Sequence, residues 1–185
     1  MILFIDACVR KNSRTRRIAE ALLNKLHDET IHIRLADINW RLTDEAYLRK
    51  RDELIAARSF DDDMFALARQ FAEADRVVIA APYWDLSFPA VLKQYIEAIN
   101  VSGITFEYTE EGFPRGLCKA DKLYYVMTAG GNFVPEEFGY GYIKSLSENF
   151  YGIRDVCLIK ATGLDICGTD DEIILDDVIK EIGDC

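Results

Sequence analysis

The sequence predicts a doubly wound α/β fold, in which a parallel sheet of five strands carries helices on both faces. Short apolar runs of strand length alternate along the chain with longer stretches whose apolar residues recur at helical spacing. The 185 residues are 50% hydrophobic and 29% charged, which suits one globular domain with a sizeable core. Because strands and helices alternate and no linker divides them, we expect a parallel sheet within a single domain.

The predicted elements follow one another along the whole chain. The strands are apolar runs that cover residues 2–6, 30–35, 76–81, 122–128 and 155–161. The helices have one apolar face each and cover residues 14–26, about 64–74, 90–100, 136–149 and 169–182. We expect Thr169 to be the N-cap of the last helix, since its hydroxyl can accept a free backbone N–H.

Two further segments interrupt this alternation. Residues 37–63 form a long charged stretch with apolar residues at helical spacing, so we expect a helical insertion there. Residues 104–108 alternate apolar and polar and lead into a turn at 110–112, which predicts a short hairpin or an extended arm. A single domain that spans 1–185 would contain both segments.

Charge and composition exclude several classes of function. The net charge of -10 argues against a nucleic-acid surface, because such surfaces need clustered lysine and arginine. No apolar run has the length that crosses a membrane, and the amino terminus does not look like a signal peptide. The five cysteines are widely spaced and the two histidines lie early in the chain, so we expect neither a disulfide framework nor a metal site. We therefore expect a cytoplasmic protein.

The loop after the first strand has the residues of an anion site. Five basic residues lie between Arg10 and Arg17 in a chain that is otherwise acidic. Ser13 and Thr15 stand where a helix begins, so their hydroxyls, the free backbone N–H groups and the helix dipole all favour an anion such as phosphate. A plain N-cap followed by a solvated basic face would account for the same residues.

Two more loops are predicted to open on the same edge of the sheet. One contains Pro82, Tyr83, Trp84, Asp85 and Leu86, and its aromatic rings suit the wall of a pocket for a flat ligand. An ordinary connection whose aromatic residues cap the core is the alternative.

The third of these loops contains Thr128, Ala129, Gly130 and Gly131, and its paired glycines permit a close approach of backbone to ligand or a tight turn. A phosphate at the first loop and a flat ring between the other two describe a bound flavin mononucleotide, FMN.

The same segments resemble a known family. The resemblance is carried in order by RKNSRT at 10–15, APYWDLSFPAVLK at 81–93, GITFEY at 103–108 and TAGG at 128–131. Together they resemble the flavodoxin-like NAD(P)H dehydrogenase (quinone) family, above all its FMN-dependent NADH azoreductases, and also NADPH-dependent FMN reductases. The resemblance implies a flavodoxin-like sheet with strand order 2-1-3-4-5.

The resemblance also implies a cofactor, a reaction and a partner. Members bind FMN and pass hydride from NADH or NADPH to quinones, azo dyes or nitroaromatics by a ping-pong mechanism, and they are usually homodimers. By position, Arg10, Ser13, Arg14 and Thr15 match the phosphate-binding turn. The residues 82–86 and 128–131 match the two loops around the flavin ring. No individual side chain is expected to be catalytic, because the flavin itself accepts and donates hydride.

Asp85 departs from the family, in which asparagine is common at this position. A carboxylate beside the reducible edge of a flavin would disfavour the anionic reduced form, so Asp85 would lower the reduction potential unless it points to solvent.

Two other functions fit parts of the sequence. Cys8, Arg14 and Thr15 have the spacing of the phosphate loop of low-molecular-weight tyrosine phosphatases, in which the cysteine would be a thiolate nucleophile. No Asp-Pro pair is present to supply the general acid of those enzymes. An acidic chain would also suit a flavodoxin-like electron carrier, although the first loop is basic and contains no glycine.

Overall fold

The computed structural model describes residues 1–41 and 43–182, so Leu42 and the last three residues, Cys185 among them, lie outside it. Its main sheet has five parallel strands in the order β2-β1-β3-β6-β7. These strands are β1 (Ile2–Asp6), β2 (Thr30–Arg34), β3 (Arg76–Ala80), β6 (Lys122–Thr128) and β7 (Asp155–Ala161). Since β4 and β5 belong to a separate hairpin, the predicted order 2-1-3-4-5 of the five parallel strands is confirmed.

Six helices surround the sheet in the part of the chain that the structure describes. They are α1 (Arg14–Leu26), α2 (Glu45–Ala56), α3 (Ala66–Glu73), α4 (Ala90–Ile99), α5 (Tyr140–Leu146) and α6 (Asp171–Glu181). Short 3₁₀ turns cover Leu35–Asp37 and Asp63–Phe65, and a π-helical turn, Ser147–Tyr151, continues α5. The expected helix within the charged insertion is α2, and none of its described side chains is fully buried.

The predicted hairpin is present and stands apart from the main sheet. Its strands, β4 (Phe106–Tyr108) and β5 (Pro114–Gly116), pair in the antiparallel direction. The Phe106 ring packs edge-on against Phe150, which attaches the hairpin to the end of the π-helical turn.

Two helix predictions are wrong in detail. The N-cap of α6 is Asp170, not Thr169: its Oδ1 accepts the N–H groups of Glu172 at 3.1 Å and Ile173 at 3.4 Å. The helix expected over 136–149 begins only at Tyr140. The segment before it is held instead by side chains of another loop, since Ser87 Oγ donates to the Phe138 carbonyl at 2.7 Å.

Both faces of the sheet are buried at its inner strands β1, β3 and β6, which explains why these three are nearly continuous apolar runs. Successive side chains on a strand point to opposite faces. One face packs against α3 and α4 through Leu3, Ile5, Val77, Ile79, Leu123 and Tyr125. The other face packs against α1 and α6 through Ile2, Phe4, Val78, Ala80, Tyr124 and Val126.

The described cysteines are not all in the same bonding state. Cys8, Cys118 and Cys167 are free thiols, but Cys157 on β7 is disulfide-bonded. Among the described residues, no helix has both the length and the apolar character that crossing a bilayer would require.

Candidate functional site

An open cleft of about 150 Å³ lies at the carboxyl ends of β1, β3 and β6. Ligands of open α/β sheets bind at this edge. The cleft is lined by Arg10, Asn12, Ser13, Arg14, Thr15, Pro82, Tyr83, Trp84, Thr128, Gly130 and Asp165. The three loops singled out from the sequence therefore do meet at one place.

Four of the predicted site residues are not among the residues that line this cleft, namely Asp85, Leu86, Ala129 and Gly131. The sequence argument also missed Asn12 and Asp165. Asp165 lies in the loop after β7, which ends at the same edge of the sheet as the other strands. The rule that selected the three predicted loops would have selected this fourth one.

The first loop presents a row of unused backbone donors. Ser13 is the N-cap of α1, and its hydroxyl accepts the N–H of Arg16 at 3.3 Å. Within the described chain, the N–H groups of residues 9–15 have no hydrogen-bond acceptor. Consecutive free N–H groups before and at a helix start make a site for an anion.

Only part of the basic character of this loop is available to a ligand. Arg14 donates to Asp165 Oδ1 at 2.8 Å and Asp171 Oδ2 at 3.1 Å. The contact with Asp165, above all, raises the pKa of the Arg14 guanidinium. In contrast, no ion pair of Arg10 or Lys11 occurs among the residues that the structure describes.

Arg17, on the first turn of α1, is likewise engaged by acidic residues of α6. It forms ion pairs with Glu172 at 2.5 Å and Asp176 at 2.8 Å. The charge of Arg17 is therefore used to join α1 to α6.

The second loop contains a strained turn. Trp84 and Ser87 exchange two backbone hydrogen bonds, of 3.1 and 2.8 Å, around Asp85 and Leu86. Both central residues have positive φ, 51° and 67°, as in the type I′ turn that usually requires asparagine or glycine. A leucine in this conformation is costly, and such strain is found most often at functional sites.

The second and third loops are joined to each other. The backbone N–H of Tyr83 donates to the Thr128 carbonyl at 2.9 Å, and the Tyr83 hydroxyl donates to the Pro135 carbonyl at 2.9 Å. Ser87 reaches the same segment through its bond to Phe138. The aromatic wall of the cleft is thus one connected unit.

The first and third loops meet at the floor of the cleft. The buried hydroxyls of Thr15 and Thr128 lie 2.6 Å apart, within hydrogen-bond distance. This bond links the first turn of α1 to the end of β6.

Cys8 is not suited to be a nucleophile. It is 1% exposed, and its thiol lies 3.7 Å from the Ala80 carbonyl. Burial raises the pKa of the Cys8 thiol to about 12, so the reactive thiolate is absent at neutral pH. The burial of Cys8 therefore argues against the phosphatase alternative.

Known proteins with similar sequences and structures share this architecture. A family model described as a flavodoxin-like fold matches residues 1–184. An FMN-dependent NADH:quinone oxidoreductase of Coprothermobacter proteolyticus is 37% identical over 192 residues, which cover 97% of this chain and 94% of that protein. An FMN-dependent NADH:quinone oxidoreductase of Clostridium acetobutylicum is 39% identical over 197 residues, with the same two coverages, 97% and 94%.

Solved structures give the same picture. An azoreductase of Bacillus anthracis superposes with a TM-score of 0.82 at 25% identity and covers 98% of this chain and 95% of its own. An FMN-dependent NADH-azoreductase of the same species, solved in complex with FMN, has a TM-score of 0.80 at 25% identity, with coverages of 98% and 94%.

Proposed function

The chain belongs to the family described as a flavodoxin-like fold, and we propose that it is an FMN-dependent NAD(P)H oxidoreductase. Its acceptors would be quinones, azo compounds or nitroaromatics. One observation carries this proposal: a single cleft has free backbone donors at one end and an aromatic wall at the other. Relatives over nearly the whole chain that are named FMN-dependent NADH:quinone oxidoreductases support it.

The residues of the cleft fit FMN in chemistry. We propose that the phosphate is held at the first loop, where the N–H groups of residues 9–15 are free. The ring would lie between the second and third loops. The proposed contacts come from Arg10, Ser13, Arg14, Thr15, Pro82, Tyr83, Trp84, Asp85, Leu86, Thr128, Ala129, Gly130 and Gly131.

In this reaction the residues of the protein position the flavin and its substrates. When bound, FMN supplies the acceptance and donation of hydride. The joined second and third loops hold Tyr83 and Trp84 in place beside the cleft, where their rings can stack on a nicotinamide and then on an acceptor. The backbone N–H of Gly130, which lines the cleft, would donate to a polar edge of the ring. No side chain is assigned a catalytic proton transfer.

We also propose a single-domain homodimer in the cytoplasm. The apolar side chains around the second and third loops support the dimer, since Trp84, Leu86, Phe133 and Phe138 are 37%, 42%, 80% and 59% exposed. A second copy that covered them would remove this apolar surface from water. Light scattering after size exclusion would measure the mass directly, and a monomer at working concentration would contradict this part.

Flavin retention and bleaching test the proposed function. Protein loaded with FMN and freed of excess should keep its absorbance near 450 nm, a wavelength typical of flavins, and anaerobic NADH or NADPH should bleach it. A quinone or an azo dye should then restore the absorbance. Loss of flavin on desalting would contradict the proposal, and retained flavin that neither nicotinamide reduces would favour an electron carrier.

The proposed position of the phosphate, beside the N-cap of α1, can be tested by adding a negative charge there. Ser13→Asp preserves an N-cap, since aspartate caps as well as serine, but adds a negative charge to the cleft. FMN should bind about tenfold more weakly or worse, because like charges a few ångströms apart repel. Asp44→Ser exchanges the cap of α2, outside the cleft, and should leave FMN affinity unchanged.

A further inference from the structure

Arg16 is largely buried against the first loop and does not line the cleft. Its side chain is 12% exposed, and its Nε donates to Asp6 Oδ2 at 2.6 Å. Asp6 is fully buried at the end of β1, and its other oxygen accepts the N–H of Cys8 at 2.9 Å. The pair therefore connects the end of the central strand to the beginning of the loop.

The rest of the Arg16 guanidinium binds carbonyl groups of the same loop. Nη2 donates to the Cys8 carbonyl at 2.7 Å, while Nη1 donates to those of Lys11 at 2.8 Å and Arg10 at 3.2 Å. A planar guanidinium holds several acceptors at fixed angles, whereas an ammonium acts as a single point charge. One side chain thus orients three peptide groups in a segment that has no regular secondary structure.

The orientation of these carbonyls decides where the adjoining N–H groups point. In a trans peptide, the carbonyl and the N–H of the next residue point in opposite directions. Because the three carbonyls point at Arg16, the N–H groups of Val9, Lys11 and Asn12 point away from it. These three groups are among those that have no acceptor in the described structure.

We propose that Arg16, held by Asp6, is the positioning residue that aims the backbone donors of the first loop at the phosphate of FMN. It contacts no ligand itself. Arg10 and Lys11 add positive charge to the loop, whereas Arg14 is held in place by acidic partners. The inference rests on the proposed function. It adds to that function the residue, Arg16, that gives the phosphate site its shape.

The ratio of affinities for FMN and riboflavin tests this role, because the two ligands differ only in the phosphate. Arg16→Lys keeps a charge opposite Asp6 but cannot hold three carbonyls. FMN should bind about tenfold to a hundredfold more weakly, as expected when hydrogen bonds to a charged group are lost, while riboflavin affinity stays constant. Arg17→Lys, at the neighbouring exposed ion pairs, should change neither affinity.

Two results would overturn the inference. One is unchanged FMN affinity in Arg16→Lys, and the other is an equal loss for both flavins, which would indicate a general structural role. If Arg16→Lys is unstable, a double variant, Asp6→Asn with Arg16→Gln, removes both buried charges together and allows the same comparison.

If the wild type binds neither flavin, the proposed function is contradicted. The positioning role of Arg16 can then still be tested with inorganic phosphate. Inorganic phosphate should then still shift the amide NMR signals of residues 9–15 in the wild type and in Arg17→Lys, but not in Arg16→Lys. Signals that do not move in the wild type, or that move equally in all three proteins, would overturn the positioning role.

Discussion

Gly130 and Asp165 approach so closely that a side chain added at position 130 would have to displace the Asp165 carboxylate. A Cβ added at Gly130 would lie 2.2 Å from Asp165 Oδ2, and the backbone N–H of Asp165 donates to the Gly130 carbonyl at 2.9 Å. Asp165 in turn accepts from Arg14. These contacts hold three segments together at one end of the cleft: the third loop, the loop after β7 and the first turn of α1.

Replacement of Gly130 by alanine should therefore disturb the cleft. The added methyl group must displace the Asp165 carboxylate, which releases Arg14. We expect a lower Tm. Gly131→Ala is the matched control for the Tm, since a Cβ there meets nothing within 4 Å and φ is not positive. An equal fall in Tm for both variants, measured by circular dichroism, would contradict this account.

Removing the charge of Asp165 should strengthen FMN binding. The Asp165 carboxylate lines the cleft and would repel the phosphate. Because it is 66% exposed, the gain from Asp165→Asn should be only about twofold to fivefold, and it should shrink as salt is added. Asp171→Asn, at the other partner of Arg14, lies outside the cleft and should have less effect. Titration calorimetry at two salt concentrations would measure both, and weaker binding in Asp165→Asn would oppose the argument.

The strained turn should be stabilised by glycine at position 86. Leu86 has φ of 67°, a conformation that costs a leucine about 1–2 kcal/mol, whereas glycine adopts it freely at some cost in chain entropy. We expect Leu86→Gly to raise the free energy of unfolding by up to about 1 kcal/mol. Leu48 on α2 has nearly the same exposure, 41% against 42%, and Leu48→Gly should be destabilising. Urea unfolding of the two variants should give changes of opposite sign.

The hydroxyl of Tyr83 should matter to both stability and flavin binding. Tyr83→Phe keeps the ring but removes the bond to Pro135, which should lower the free energy of unfolding by about 1 kcal/mol. It should also weaken FMN binding by loosening the aromatic wall. Tyr140→Phe removes a similar bond, to the Val156 carbonyl at 3.0 Å, outside the cleft. We expect it to lower stability alone, so an equal loss of FMN affinity in both variants would count against the proposed role of Tyr83.

Cysteine reactivity should follow burial. The raised pKa of about 12 keeps the Cys8 and Cys118 thiols protonated, so alkylation should begin only as the pH approaches that value or when the chain unfolds. Cys167 is exposed and should react with iodoacetamide at pH 8. Peptide mass spectrometry would identify the labelled sites. Labelling of Cys8 at pH 8, or hydrolysis of an aryl phosphate, would reopen the role of Cys8 as a nucleophile.

The sequence predicted most of the fold because the signals involved are local. The inner strands β1, β3 and β6 are buried on both faces, so each is a nearly continuous apolar run, and the bounds expected for β1, β6 and β7 agree with the structure. Helix α1 has one apolar stripe and a serine cap, and its predicted bounds also agree. The late start of α5 was missed; the segment before it is bonded to Ser87, which lies 51 residues from Phe138, and such a long-range contact leaves no local signal.

The sequence by itself determined which loops meet at the cleft, since the carboxyl ends of parallel strands must lie along one edge. Only the tertiary structure decided what each charge does there. Arg14 pairs with Asp165 across 151 positions, whereas Arg10 in the same loop has no described ion pair. Periodicity and burial can be inferred from residues that are neighbours in the sequence. An ion pair, in contrast, depends on the distance between side chains that folding brings together. For this reason the sequence predicted where the site lies. It did not predict which basic residues are free to bind a ligand and which are held in ion pairs with the rest of the protein.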